Sequence, residues 1–338
     1  MSIPEEELKK ELFDKANEEF KDEEFKENDK RSNLRDALVR LRSNKGSIVG
    51  LVIIVLIIIM AIFGPMLNDH DYRTQDLSRQ NLPPKVSFLE KIPFIGFDGV
   101  DIKNQDQYKS KEVKENFWFG TDDLGRDVWS RVWQGTRISL YIAFLAAALD
   151  LLVGVVYGSI SAYYGGRIDN IMQRIIEILI GIPQLIVVIL LILILQPGIS
   201  SITIALVITG WVNMARIIRG QVLKLKNEEF VLASKVLGGA DKHLLLKHLI
   251  PNSLGPIIIT TMFTVPNAIF TEAFLSFIGL GVQPPNASLG TIVNDGFELL
   301  QVFPHSLMFS ATVISLIMIS FNLVGDGLRD AFDPKMNK

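Results

Sequence analysis

Three acidic residues interrupt apolar stretches of the chain: Asp150, Glu177 and Glu272. A charge inside a membrane span costs about 3 kcal/mol on insertion scales, so each needs a partner or water. Such residues can line a translocation path, or they can hold helices together. Glu177 follows Arg174 by three residues, which is the spacing of a local ion pair on a helix. The three acids are therefore candidates for a polar path, with helix packing as the alternative.

A second candidate site is the stretch Glu228–Asn252, a long charged break between two apolar segments. Residues 230–236 favour a helix, and Gly238 can end it because glycine adopts the left-handed conformation of a helix stop. Asp241 can cap a second helix, whose apolar residues recur at helical spacing before Pro251. The sequence predicts a helix, a turn and a helix.

Recognisable motifs for catalysis, nucleotide binding or metal binding are absent from the sequence. It contains no cysteine, no Walker A pattern for nucleotide phosphates, and no H-E-x-x-H, G-x-G-D or G-x-S-G motif. The four histidines fall on both predicted sides of the membrane, and the net charge of -3 with no basic patch argues against nucleic acid. We therefore predict no catalytic residue, metal or cofactor here. If ATP drives this protein, another chain must bind it.

Apolar runs of about 20 residues, the length that spans a bilayer, recur along a chain that is 49% hydrophobic. They predict an all-α integral membrane protein with six transmembrane helices. The expected spans are 46–67, 138–163, 175–195, 199–218, 254–280 and 307–324, with Pro183 kinking the third. The predicted division is a charged cytoplasmic tail (1–45), span one (46–67), a long external segment (68–136), a transmembrane core of spans two to six (137–325) containing a cytoplasmic loop (219–254), and a cytoplasmic tail (326–338).

The end of the external segment has its own pattern. Leu124, Val128 and Val132 recur every fourth residue, with Trp129 and Trp133 beside them. Tryptophan favours the membrane interface, so we predict an amphipathic helix lying in the outer interface. An ordinary helix packed on the outer protein surface is the alternative.

Lysine and arginine counts orient the predicted spans. The connection 281–304 has none, whereas the 219–254 loop, the 164–174 link and both tails have several. By the positive-inside bias, both termini and the 219–254 loop are expected in the cytoplasm, and six spans satisfy that parity.

Several motifs resemble those of one transporter family. Leu232-Ala233-Ser234, Gly238 and Ile250-Pro251 occupy the landmarks of the "EAA" loop of bacterial ABC-importer permeases, although Leu232 and Ser234 replace that motif's Glu and second Ala. The stretches FGTDDLGRD (119–127), KHLIPN (247–252) and SFIGLGVQPP (276–285) are similar to the C-type subunit of the oligopeptide/dipeptide (nickel) branch. The resemblance covers roughly residues 45–335.

This resemblance implies the ABC importer type I permease fold and an ATP-driven importer. The expected partners are a second homologous permease subunit, two cytoplasmic ATPases that bind ATP and Mg²⁺, and an extracellular substrate-binding protein that delivers peptide. The first helix of the loop would couple to an ATPase, and its apolar residues would supply the docking surface: Phe230, Val231, Leu232, Val236 and Leu237. The coupling residues that the resemblance assigns are Glu229, Phe230, Leu232, Ala233, Ser234, Leu237, Gly238, Asp241 and Pro251.

Other functions stay open at this point. Within the same family, dipeptides, nickel or another small solute could replace oligopeptides, because the motifs do not separate these substrates. An intramembrane enzyme would need the catalytic motifs that the sequence lacks. A membrane scaffold would leave the charged loop and the acids of the spans unexplained. The permease interpretation accounts for all of these features.

Overall fold

The computed structural model describes residues 39–87, 96–101 and 104–332 of the 338-residue chain. Of the predicted tails, 1–45 and 326–338, the structure describes residues 39–45 and 326–332, and the latter continue the last helix, His305–Phe332. Five helices in the described part are long and apolar enough to cross a membrane, or six if one sharply bent pair counts as a single span. The predicted all-α, six-span architecture is therefore confirmed.

The long helices follow the predicted spans with shifted ends. We number the helices in chain order: α1 Lys45–Phe63, α2 Gln107–Ser110, α3 Val128–Tyr164, α4 Gly166–Gly181, α5 Gln184–Leu195, α6 Ile199–Leu225, α7 Glu229–Val236, α8 Asp241–His243, α9 Ile250–Asn252, α10 Leu254–Phe277, α11 Leu289–Glu298 and α12 His305–Phe332. A π-helix, Leu244–Leu249, joins α8 to α9, and two 3₁₀ turns, Gly64–Met66 and Leu77–Arg79, follow α1.

The start of α3 corrects the prediction of a separate interfacial helix. Residues 128–136 are the first turns of one continuous 37-residue helix, whose N-terminus is capped by Asp127. Trp129 donates a hydrogen bond of 2.8 Å to the carbonyl of Gly64, and Trp133 packs against the same glycine. Both tryptophans therefore pack on the end of α1, and Trp129 also satisfies its indole N–H there.

The third span is broken rather than kinked. Helices α4 and α5 meet at an angle of 82°, across Ile182 and Pro183. Pro183 has no N–H to donate to the preceding turn, and the residue before a proline is driven out of the helical conformation. Ile182 is accordingly extended, with φ -102° and ψ 127°.

The external segment has a small core of its own. Leu82, Tyr108 and Phe117 are buried together, and the Tyr108 hydroxyl donates a 2.9 Å hydrogen bond to the carbonyl of Pro83. The segment is joined to the start of α3 by the ion pair of Asp122 with Arg131, and Asp122 also pairs with Arg126 within the segment.

Close packing of α3 on α6 forms the centre of the bundle. A Cβ at Gly154 would lie 2.6 Å from the Cβ of Met214, and one at Gly158 would collide with the carbonyl of Ala215. Glycines four residues apart let two helix backbones approach closely. The bundle positions the external segment at the start of α3 and the charged loop at its end.

Candidate coupling site

The charged loop forms the predicted helix, turn and helix. Helix α7 ends at Val236 with Leu237 as its C-cap, and Gly238 has φ +83°, in the left-handed region. The Gly239 N–H then donates a 3.0 Å hydrogen bond to the carbonyl of Ser234, five residues earlier. This geometry is a helix stop that glycine adopts without steric cost. The predicted role of Gly238 in ending the helix is confirmed.

One side of α7 is anchored in its own chain. Val231 is only 2% exposed and belongs to a buried cluster with Val222 of α6 and Ile257 of α10, with Phe230 packed beside it. Counting Val231 as outward docking surface was therefore wrong, since helical geometry turns it toward the bundle. The anchor fixes the direction in which the rest of α7 points.

The opposite side of α7 is apolar and exposed. Leu232 is 47%, Val236 87% and Leu237 86% exposed, and we call these three residues the α7 patch. Val236 belongs to the predicted apolar surface of this helix, and its position four residues after Leu232 places it on the same helical face. Exposed apolar residues grouped on a short rigid helix are typical of a protein-binding surface. Of the other predicted residues, Glu229, Ala233, Gly238 and Pro251 are exposed and Ser234 is half-buried.

Asp241 is positioned differently from the prediction. The capping position of α8 is occupied by Ala240, and Asp241 is the first helical residue. Its carboxylate instead accepts a 2.6 Å hydrogen bond from the hydroxyl of Tyr163, at the end of α3. Asp241 therefore joins the loop to the long central helix.

Pro251 shapes the second arm of the loop. A proline nitrogen cannot donate to the carbonyl four residues earlier, and the helix before it widens into the π-helix Leu244–Leu249. Two carbonyls in this arm accept hydrogen bonds from side chains. The Asn252 amide donates to the carbonyl of His248 at 2.6 Å, and the Ser253 hydroxyl donates to the carbonyl of Leu249 at 2.8 Å. The arm thus keeps its backbone groups paired despite the irregular turn.

Two of the acids in the spans contact neighbouring helices. Glu272 is fully buried and accepts 2.8 Å hydrogen bonds from the hydroxyls of Ser139 and Ser276. Asp150 is buried where α3 faces Gly210, and its Oδ1 has no hydrogen-bond partner among the described residues. The hydrogen bonds of Glu272 favour packing over an open polar path for that acid, whereas the role of Asp150 stays a prediction.

Glu177 differs from the other two acids. It is exposed and accepts a 2.6 Å hydrogen bond from Arg174. This is the local ion pair expected at three-residue spacing. Its position on an uncovered face of α4 leaves a role in the path as a prediction.

Comparison with known proteins agrees with this architecture. Residues 154–338 match the family model of the binding-protein-dependent transport system inner membrane component. Residues 32–84 match the N-terminal transmembrane domain of oligopeptide transport permease C.

Full-length relatives are similar over nearly the whole chain. The chain is 51% identical to the oligopeptide transport system permease protein OppC of Bacillus subtilis, covering 90% of both chains. It is 47% identical to the dipeptide permease DppC of the same organism, over 90% of this chain and 86% of that one. OppC of Escherichia coli K12 is 36% identical, over 90% and 92% of the two chains. A solved structure of the MetNI methionine ABC transporter, 18% identical, covers 60% of this chain and 94% of that one, with a TM-score of 0.48.

Identity of this extent over nine-tenths of the chain, together with a family model that covers more than half of it, establishes the family. Members are multi-pass membrane subunits that work with a second permease and with ATPase subunits, and they are not themselves enzymes. The chain belongs to the binding-protein-dependent ABC-importer permeases, as a C-type subunit of their oligopeptide/dipeptide branch.

Proposed function

We propose that this chain forms half of the translocation path of an importer for oligopeptides in a bacterial cell membrane. Support for this substrate class comes from the 51% identity to an oligopeptide permease. The 47% identity to a dipeptide permease keeps dipeptides as the second candidate. Nickel or another small solute is a weaker alternative, which rests on the resemblance of the motifs alone.

The α7 patch carries the proposal of coupling. Leu232, Val236 and Leu237 project from a short helix whose other side is fixed by Val231. A partner that binds the patch can push or pull the bundle, because the buried anchor transmits displacement to α6 and α10. We infer that the patch docks on a cytoplasmic ATPase, with Glu229, Ala233, Ser234 and Gly238 at its margin. ATP and Mg²⁺ would then be bound by the ATPases.

The orientation follows from charge. The loop that carries α7 contains or adjoins Lys224, Lys226, Lys235, Lys242 and Lys247, whereas the connection 281–304 has no lysine or arginine. The positive-inside bias therefore favours a cytoplasmic loop and cytoplasmic termini. The external segment would face the substrate-binding protein that delivers the peptide.

Docking is tested by Leu237→Asp in the complete complex of both permeases and both ATPases. This substitution places a charge in an apolar contact of the proposed interface. It should reduce co-purification of the ATPases at least about tenfold, because a few buried contacts carry most of the binding energy of an interface. Leu77→Asp is the matched control, since Leu77 is also exposed (69%) but lies in the external segment. Unchanged recovery of the ATPases with Leu237→Asp would refute docking through the patch.

The substrate class is tested separately by uptake. Proteoliposomes containing the complex and its substrate-binding protein should accumulate labelled penta- or hexapeptides in an ATP-dependent manner. Competition with unlabelled dipeptide and with Ni²⁺ ranks the alternatives. Uptake of dipeptide without uptake of the longer peptides would replace the oligopeptide proposal by the dipeptide one.

A further inference from the structure

Helix α3 is fastened at both ends to functional parts of the chain. It runs without a break from Val128 to Tyr164, 37 residues, which corresponds to about 55 Å at 1.5 Å per residue. It is the longest helix in the part of the chain that the structure describes.

At its C-terminal end, α3 is bonded to the coupling loop. The Tyr163 hydroxyl donates a 2.6 Å hydrogen bond to Asp241, just after the turn that ends α7. Lys226, just before α7, donates a 2.9 Å hydrogen bond to the carbonyl of Ala162. The chain segments before and after α7 are therefore both held by the last turn of α3, so a displacement of α7 pulls on that turn.

At its N-terminal end, α3 is bonded to the opposite side of the protein. Arg131 pairs with Asp295 of α11 at 3.0 Å and with Asp122 of the external segment. Two turns further along, the Ser139 hydroxyl accepts a 3.2 Å hydrogen bond from the backbone N–H of Leu289, at the start of α11. Helix α11 and the external segment therefore move with this end of α3.

The neighbouring broken span could not serve in the same way. Helices α4 and α5 form an angle of 82°, so a push along one is not passed along the axis of the other. Helix α3 is continuous from Val128 to Tyr164, and it is packed along α6 through Gly154 and Gly158. It has no break of the kind that separates α4 from α5.

We propose that α3 transmits motion of the coupling loop to the external side, and that Tyr163 and Asp241 are the positioning residues that connect the loop to it. This inference rests on the proposed function, because it takes the α7 patch as the point where force enters. It assigns Asp241 to an internal hydrogen bond rather than to the ATPase surface.

The test uses the complete importer in proteoliposomes with its substrate-binding protein, and it measures peptide taken up per ATP hydrolysed. Tyr163→Phe removes only the hydroxyl and should lower this ratio about three- to tenfold, while ATPase recovery stays unchanged. Tyr164→Phe is the matched control, because Tyr164 is the adjacent tyrosine, is exposed, and has no hydroxyl hydrogen bond within the described part of the chain. It should behave as wild type.

Two variants of Asp241 separate the hydrogen bond from other roles. Asp241→Asn keeps an oxygen that accepts from Tyr163 and should retain the wild-type ratio within about twofold. Asp241→Ala should reproduce the defect of Tyr163→Phe, and the double variant should be no worse than either single one. Equal ratios for Tyr163→Phe and Tyr164→Phe would overturn the inference, as would loss of ATPase binding in Asp241→Asn.

The two proposals fail in different ways. If the wild-type complex shows no ATPase docking at the α7 patch, the proposed function fails. If docking and uptake are normal but Tyr163→Phe leaves the ratio unchanged, only the role of α3 is refuted.

Discussion

Arg219 of α6 donates hydrogen bonds of 2.7 and 2.6 Å to the two carboxylate oxygens of Asp169 in α4. Ser161 of α3 donates to the same carboxylate at 2.5 Å, so three helices meet at one acid. A paired guanidinium and carboxylate of this kind fixes both distance and orientation. The ion pair joins α4 to α6, and the serine bond joins the same acid to α3.

We expect Arg219→Lys to destabilise the complex by about 1 kcal/mol, because lysine cannot bond both oxygens in the same geometry and the pair is partly exposed. The measurement is the midpoint of thermal unfolding of the purified complex. Arg174→Lys is the control, since its pair with Glu177 is exposed and should contribute little. Equal shifts for the two variants would contradict the assigned role.

Gly158→Ala should destabilise the complex by about 1–3 kcal/mol, because the added methyl meets the backbone of α6 at Ala215. Gly220→Ala, on α6 itself, should have no such cost, since a Cβ there meets open space. It should stabilise slightly, by up to about 1 kcal/mol, because alanine favours helix over glycine. The comparison is made by thermal unfolding and by yield of assembled complex.

Gly238→Val should uncouple ATP hydrolysis from uptake while the chain still inserts in the membrane. The φ of +83° at this position is strained for a β-branched residue. The turn that ends α7 would therefore be disrupted, and the α7 patch would lose its orientation. Gly238→Asn should be much milder, because asparagine tolerates the left-handed region. Normal uptake by the valine variant would count against a defined α7 geometry.

Glu272→Gln should leave peptide uptake within about twofold of wild type, with small loss of stability. The amide keeps one oxygen to accept from Ser139 or Ser276, and the serine hydroxyls can rotate to accept from the new N–H. If this carboxylate instead lined the path, uptake would fall although the complex remained assembled. Transport and thermal unfolding, measured on the same preparation, separate these outcomes.

Asp127, which caps α3, gives a pH-dependent prediction. Burial raises the pKa of its carboxyl above the ordinary value, although hydrogen bonds from Ser130 oppose this shift. A raised pKa in the folded state means that protonation favours folding, so this contribution is present below about pH 4 and is lost as the pH rises through the folded-state pKa.

Asp127→Asn keeps a capping oxygen without the buried charge. It should therefore raise the unfolding temperature at pH 7.5, and the difference from wild type should shrink as the pH falls toward about 4. An unfolding-temperature difference that does not change between these pH values would contradict the role of burial.

Much of this architecture could be predicted from the sequence because its signals are local. Runs of about 20 apolar residues define spans, and Gly238 and Pro251 mark the turn and the irregular arm of the loop. The continuity of α3 could not be seen, because its first turns carry Arg131 and the tryptophans, whose partners Asp295 and Gly64 are distant in sequence.

The inward turn of Val231 and the bond between Asp241 and Tyr163 likewise depend on tertiary contacts. A helical pattern gives the relative faces of a segment, but it does not say which face meets the bundle. The same limit applies to the 82° break between α4 and α5, since a proline in the sequence predicts a bend but not the angle of that bend.

The length of α3 has a consequence for how the protein sits in the bilayer. A helix of about 55 Å exceeds not only the hydrocarbon thickness of about 30 Å but also the roughly 40–45 Å that includes the lipid headgroups. Even with ordinary tilt, its ends stand clear of the lipid. Water-soluble proteins approaching from either compartment would thus meet polypeptide raised above the headgroup layer, and could bind and leave without displacing lipid.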